Sequence, residues 1–307
     1  MSEPPVASPR QVSASIVAYR NDPDELIEAI SSVLSTPGIA TCTVIDNSPD
    51  PDLRETVLEA GANYIFAGSN LGFGGGHNLA LRANLNSAPY QLVLNPDIRF
   101  GPEVLPALCA FMDANPSVGQ VMPRIVYHDG SEQRLCKLLP TPFDLILRRF
   151  LGPLASRLFK ARRDRYEMRS FDMHVTREVP SLSGCFMFLR SSLLHEIGLF
   201  DTRYFMYLED VDLCRRIGSR SKTIFYPHVA VAHGYAKDSY RKARLLKHHI
   251  ISAMRYFSKW GWLTDAETNA RNERVLPFGE NRAVAQASVQ EARFSPAEEQ
   301  SRAHQFV

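Results

Sequence analysis

Tyr90-Gln-Leu-Val-Leu-Asn-Pro-Asp97 is an apolar run that stops abruptly. Pro96 has no N–H to give to a ladder, so a strand over residues 91 to 94 cannot continue past Asn95. Asp97 then projects from the carboxyl end of a buried strand, the position where open α/β sheets bind their ligands. Mg²⁺ or Mn²⁺ prefers one or two carboxylates plus phosphate oxygens to an all-protein cage, so a single Asp there suits such a cation. Asn-Pro-Asp is also an ordinary turn sequence, and these residues alone leave that reading open.

Around this run, strand and helix patterns alternate. Val12 to Tyr19 reads as a strand, and Pro23 to Leu34 as a helix capped by Asp22 with Pro at its first position. Thr41 to Ile45 is a strand, Asp52 to Ala60 a helix, Asn63 to Phe66 a strand, Asn78 to Leu85 a helix, and Glu103 to Met112 a helix after the Gln91 to Leu94 strand. Such βαβα repetition predicts an α/β fold with a mostly parallel central sheet and helices on both faces. Beyond Asn115 the pattern changes to strand-like stretches, Val118 to Tyr127 and Val179 to Leu189. They enclose a basic amphipathic segment from Thr141 to Arg169, which suits either an anionic membrane surface or packing on its own domain. Residues 1–11, rich in Pro and Ser, read as a flexible lead-in, and residues 264–307 as a polar, partly disordered tail.

Two further stretches carry chemistry. Phe205-Met-Tyr-Leu-Glu-Asp-Val-Asp-Leu-Cys-Arg-Arg216 crowds Glu209, Asp210 and Asp212 against aromatic rings. Mutual repulsion and loss of water should raise the pKa of at least one of them, which makes the cluster a candidate general base. An acidic helix start paired with Arg215 and Arg216 is the other reading. Asn70-Leu-Gly-Phe-Gly-Gly-Gly-His-Asn78 places glycines before a helix, where backbone N–H groups could approach an anion or a sugar. It is not a P-loop, since no Gly-Lys-Ser/Thr follows, and His77 stands where a dinucleotide fingerprint needs its third Gly.

The chain has 307 residues, 45% of them hydrophobic, enough for one large α/β domain with an added subdomain. A net charge of +2 gives no general attraction to nucleic acid. Five cysteines form no Cys-x-x-Cys pair and sit in apolar surroundings, which predicts buried free thiols and a reducing compartment. With no signal pattern and no run of eighteen apolar residues, a cytoplasmic protein is expected.

Taken together, Ser15-Ile-Val-Ala-Tyr19, Val44-Ile-Asp-Asn-Ser48, Asn70-Leu-Gly-Phe73, Leu94-Asn-Pro-Asp97, Ser183-Gly-Cys-Phe-Met187, Gly198-Leu-Phe-Asp201 and Glu209-Asp-Val-Asp212 resemble, in order and spacing over roughly residues 12 to 260, the family 2 inverting glycosyltransferases of GT-A fold, and within them the rhamnosyltransferase-like branch. The resemblance implies a domain over residues 12–263, with a nucleotide-sugar-binding half (12–115) and an acceptor and catalytic half (116–263) that ends in a helical region. It implies transfer of a sugar with inversion from a nucleotide diphosphate, dTDP-rhamnose in that branch, to a glycan or a polyprenyl-diphosphate-linked acceptor of bacterial surface polysaccharide synthesis. Peripheral contact with the inner face of an anionic membrane fits that role, and homo-oligomerisation stays open.

Carried over residue by residue, the resemblance makes Asp210 the base with Glu209 beside it, and Asp97 the metal ligand with His233 as a second. Ala18, Tyr19, Arg20 and Asp46 line the base and ribose pocket, with Asp46 also readable as an Asx-turn residue of Asp-Asn-Ser-Pro. Asn70, Gly72, Phe73, Gly74 and Asn78 cradle the donor, Asn95 stands at the first position of the family's usual Asp-x-Asp motif and removes one anionic ligand, and Lys237 closes over the diphosphate. A UDP-hexose donor is an alternative. A nucleotidyltransferase is another, although its Gly-rich basic loop is replaced here by Arg20-Asn-Asp-Pro-Asp24, and a non-catalytic partner subunit is a third.

Overall fold

The computed structural model describes residues 12–145, 159–234, 243–262 and 266–276. Its strands are β1 (Val12–Ala18), β2 (Ile39–Asp46), β3 (Asn63–Phe66), β4 (Tyr90–Leu94), β5 (Ile98–Arg99), β6 (Val118–Val126), β7 (Arg177–Glu178), β8 (Phe186–Arg190) and β9 (Lys222–His233). Helices are α1 (Pro23–Leu34), α2 (Arg54–Glu59), α3 (Gly72–Asn84), α4 (Val104–Ala114), α5 (Lys160–Tyr166), α6 (Ser191–Ile197), α7 (Glu209–Gly218), α8 (Ala243–Trp260) and α9 (Ala266–Val275).

One sheet runs in the order β3-β2-β1-β4-β8-β6-β9-β5, with β7 pairing β9 off this path. β1 is parallel to β2 and β4, and β2 to β3. β8 is antiparallel to both β4 and β6, so β6 and its parallel neighbour β9 again run in the direction of β4. The carboxyl ends of β1, β2, β4 and β9 therefore open onto one edge, and β8 begins there. Ile16, Leu92, Phe188 and Phe225 fill the centre with almost no exposure. Each such side chain contributes about 1.5–3 kcal/mol by leaving water. α3 packs on β1 and β2, and α4 on β6 and β9.

Asp22 caps α1 as its sequence predicts, accepting from the N–H groups of Asp24 and Glu25, with Pro23 at the helix start. All five cysteines are buried free thiols. A second, smaller core of Leu139, Leu145, Tyr204, Leu208, Val211, Tyr256 and Phe257 lies where α8 closes over the 204–208 loop.

Two sequence expectations change. The glycine run is not a loop: α3 starts at Gly72, six residues before the predicted helix. Residues 266–275, placed in the polar tail, form α9, where Asn272 exchanges two bonds with the backbone of Leu139 at 2.8 and 2.9 Å. Its polar composition hid the contact, because α9 is held by side chains bonding buried backbone rather than by apolar periodicity. Within the 141–169 segment, residues 146–158 lie outside the described residues. Among the rest, Lys160 pairs with Asp164, Arg162 with Asp144 and Arg169 with Glu167, so these cations are engaged within the domain. Among the described residues no helix is long and apolar enough to cross a membrane.

Candidate active site

Asp97 and His233 are brought together by two short pairings. Ile98 lies opposite His233 in the β5–β9 ladder, and the N–H of Gly234 donates to the Asp97 carbonyl at 3.0 Å. His233 Nε2 then stands 3.4 Å from Asp97 Oδ1 and 3.3 Å from Asn95 Nδ2.

The other side of the imidazole is decided by Gln133. Its Nε2 donates to the His233 carbonyl at 2.9 Å, with the Val126 carbonyl 3.4 Å away, so its Oε1 must be the atom 2.9 Å from His233 Nδ1. An oxygen there accepts, so neutral His233 carries its hydrogen on Nδ1 and turns the Nε2 lone pair toward Asp97. That lone pair faces the Asn95 amide nitrogen at 3.3 Å and the Asp97 carboxylate at 3.4 Å, and together with the carboxylate it could hold a cation. Asp97 Oδ1 is buried without a hydrogen-bond donor. Glu25 on α1 adds negative field: burial first, and then the charge of Asp97, raise its carboxyl above the usual range. The residues thus fit a divalent cation such as Mg²⁺ or Mn²⁺. Among the described residues no three His, Cys, Asp or Glu side chains form a metal-holding group, so an oxygen-rich ligand such as a diphosphate has to complete the shell.

Across the β4–β8 junction sits the acidic pair. Asn95 donates its N–H to the Cys185 carbonyl at 2.9 Å, and the next N–H back, that of Gly184, donates to Asp210 Oδ2 at 2.9 Å. Asp210 can come this close because a Cβ on Gly184 would stand 3.1 Å from Asp210 Cβ and 3.4 Å from Phe73 Cζ. Asp210 Oδ1 accepts from the N–H of Val211 at 2.8 Å. Two consecutive left-handed residues, Tyr207 at φ 72° and Leu208 at φ 67°, aim the start of α7. Such strain in non-glycine residues costs of order 1–3 kcal/mol each and gathers at functional sites. The carboxyl whose pKa rises is Glu209: burial, and then the charge of Asp210, push it up to about 8. Its Oε2 is buried without a hydrogen-bond partner. The expected crowding is therefore present, with the proton held on the residue beside the predicted base.

The donor-side residues divide into lining and support. Tyr19 is exposed, and Arg20 follows it in the left-handed region at φ 54°, its N–H donating to Ser48 Oγ at 2.9 Å. Both remain at the open sheet edge. Ala18 is buried and supplies only its carbonyl, to the N–H of Asn47 at 2.9 Å. Asp46 is fully buried, accepting from the Ser48 N–H at 2.9 Å and the Tyr64 hydroxyl at 2.8 Å. Asp46 Oδ1 thus closes an Asx turn at the end of β2.

The glycines of α3 have close neighbours. A Cβ on Gly72 would collide with the Phe205 carbonyl, one on Gly74 would lie 2.8 Å from Phe200 Cβ, and one on Gly76 2.8 Å from Val17 Cγ2. They let α3 press on the sheet and on the 200–205 loop. Asn78, also expected in the cradle, is buried and bonds the Phe200 backbone through both ends of its amide, at 2.8 and 3.1 Å. Asn70 Oδ1 accepts from the Gly72 N–H at 2.9 Å and so shapes the turn into α3. Phe73 stays half-buried, edge-on to Phe200 beside Gly184. Lys237 lies outside the described residues. Gln133, Glu25 and Asn47 were missed; Asn47, whose amide donates to the Gly72 carbonyl at 3.0 Å, stood next to Asp46 in the motif, whereas nothing local marks Gln133.

Residues 13–198 match the family described as glycosyl transferase family 2. The chain is 31% identical over 268 residues to the N-acetylglucosaminyl-diphospho-decaprenol L-rhamnosyltransferase of Mycobacterium tuberculosis, covering 80% of this chain and 85% of that one. It is 27% identical to rhamnosyltransferase WbbL of Escherichia coli K12, over 70% of this chain and 81% of that one. The low-salt glycan biosynthesis hexosyltransferase Agl10 of Haloferax volcanii is 29% identical over 67% of this chain, and the match spans 61% of that relative's length. In fold the chain is similar to GalNAc-T7 with UDP, GalNAc and Mn²⁺ (TM-score 0.57, 17% identity, 89% of this chain and 52% of that one). It is also similar to the mannosyltransferase PcManGT of Pyrobaculum calidifontis with GDP-Man and Mn²⁺ (TM-score 0.51, 17% identity, 96% and 85%). The protein has the GT-A fold and is a glycosyltransferase by descent. It belongs to glycosyl transferase family 2.

Proposed function

We propose that the protein transfers a sugar from a nucleoside-diphosphate donor to an acceptor hydroxyl in one displacement with inversion, with Asp210 as the base. The observation that carries this reading is the meeting, at one sheet edge, of the Asp97–His233 pair and of Asp210, oriented by the Gly184 N–H. Asp210 takes the proton from the acceptor hydroxyl as that oxygen attacks the anomeric carbon. The new carbon–oxygen bond forms as the bond to the diphosphate breaks, and the electron pair leaves with the nucleoside diphosphate. A proton on Glu209 keeps a second negative charge away from Asp210. Asp97 and His233 hold the cation that, when bound, neutralises charge growing on the leaving group.

The donor is dTDP-rhamnose and the acceptor a polyprenyl-diphosphate-linked glycan at an anionic membrane surface. Two rhamnosyltransferases among the relatives, one of them named for a lipid-diphosphate acceptor, support this. The hexosyltransferase relative keeps a UDP-hexose donor as the second reading. The test is transfer from dTDP-rhamnose or a UDP-hexose to N-acetylglucosaminyl-diphospho-polyprenol, with Mn²⁺ or with excess chelator. Rhamnosyl product formed only with metal supports the reading; hexosyl product redirects the donor, and full activity in chelator removes the cation from the mechanism.

A further inference from the structure

Helix α8 has two faces of opposite character. His249, Ser252, Tyr256 and Phe257, spaced three and four apart, are buried against the 204–208 loop and the second core. The opposite face carries Lys247, Ile250, Ile251, Met254, Arg255 and Ser258. Met254 is 54% exposed and Ile250 40%, and Trp262, just past the helix, is 50% exposed. Scattered exposed apolar residues need no explanation, but a row of them along one helix face does.

Among the described residues, the side chains that rim this row are basic. None of the eighteen residues of α8 is acidic. Met254 and Ile251 floor a groove of about 420 Å³ that is rimmed by Arg203, Arg255 and Lys259. Two carboxylates beside it are paired: Asp201 with Arg203 and Lys259, Asp212 with Arg216 and Lys259. An apolar row set among cations, on a helix that does not span, is the pattern of a helix lying in the headgroup layer of an anionic bilayer.

We infer that the outer face of α8 is the surface by which this protein rests on an anionic lipid bilayer, with Ile250 and Met254 entering the interface and Lys247 and Arg255 meeting the headgroups. The consequence concerns the site. The inner face of α8 grips the loop that ends in Glu209-Asp210, through Ser252 Oγ donating to the Met206 carbonyl at 2.8 Å and His248 stacked on Phe205 at 4.6 Å. The base would then stand roughly one helix diameter, ~10 Å, inside the lipid surface. This rests on the lipid-linked acceptor proposed above, and it moves the membrane contact from the 141–169 segment to α8.

The experiment is co-sedimentation of the full chain with vesicles of phosphatidylglycerol and phosphatidylethanolamine at low and high salt. Wild type should sediment at low salt and release as salt rises. Ile250→Asp/Met254→Asp and Lys247→Glu/Arg255→Glu should each bind at least about tenfold more weakly while keeping the wild-type unfolding midpoint. Brominated lipid should quench wild-type tryptophan fluorescence but spare Trp262→Phe. A wild type that ignores the vesicles overturns the inference, as does equal binding by both double variants, which would place the contact elsewhere on the chain. Binding is read without any sugar transfer. Vesicle binding lost in these variants, together with no transfer to any lipid-linked acceptor, would leave this surface standing and remove the acceptor reading instead.

Discussion

Trp260 Nε1 donates to Asp212 Oδ1 at 2.8 Å, and this bond ties the end of α8 to α7. The same oxygen meets Lys259 Nζ at 2.6 Å, while Oδ2 accepts from Arg216 Nε at 2.9 Å. Asp212 is fully buried, so the second carboxylate of Glu209-Asp-Val-Asp212 is a clamp between helices rather than a group open to substrate. Asp212→Ala removes the shared acceptor of Arg216, Lys259 and the Trp260 indole N–H, leaving Lys259 with Asp201 and Arg216 with backbone carbonyls. It should cost about 3–5 kcal/mol in urea unfolding, the range for breaking a buried pair from one side. A loss under about 1 kcal/mol would mean that water takes over the role.

Gln133 is expected to act through His233 rather than on substrate. Gln133→Leu removes the acceptor at Nδ1 and frees the ring to turn or change tautomer. Affinity for Mn²⁺ in the presence of a nucleoside diphosphate should fall about 10–100-fold, the usual effect of removing a ligand's hydrogen-bond partner. Calorimetric titration checks this without turnover, and an unchanged affinity would show that Asp97 and the diphosphate suffice.

Asp210→Asn keeps an oxygen for the Gly184 N–H but cannot take a proton. Transfer should fall roughly 10²–10⁴-fold with donor affinity preserved. Near-normal turnover in this variant would pass the role of base to another group.

Glu209 makes stability depend on pH in a defined direction. Its folded-state pKa, raised to about 8 by burial and then by Asp210, exceeds that of the unfolded chain, so the native state holds this proton more tightly. The stability it contributes is complete below about pH 4.3, the ordinary glutamate value, and is lost as pH rises through about 8. Glu209→Gln should flatten the fall of the unfolding midpoint across that window and be at least as stable as wild type at its alkaline end. An identical slope in both proteins would assign the titration elsewhere.

Much of the frame was legible because its causes are local. The apolar run 90–94 closed by Pro96, the Asp22-Pro23 helix start and the carboxylates at 209–212 each depend on a few neighbouring residues, and each places an element or a charge. The glycine run is less legible for the opposite reason. Glycine marks a place where something comes close, and whether that is a diphosphate or the Phe200 and Phe205 segment depends on chain more than a hundred residues away.

The site itself was decided by sheet order. Asp97 meets His233 only because a two-residue strand pairs with the end of β9, and Gln133 reaches that histidine from a hundred residues upstream. Asp46 is a strand-end carboxylate by sequence, and the tertiary structure adds its burial and the Tyr64 hydroxyl from the neighbouring strand. Strand and helix follow from periodicity and turn chemistry, which act within a few residues. Which polar groups lose water, which lone pairs face one another and which carboxyl keeps its proton follow from packing between distant segments, and that arises only once the sheet has assembled.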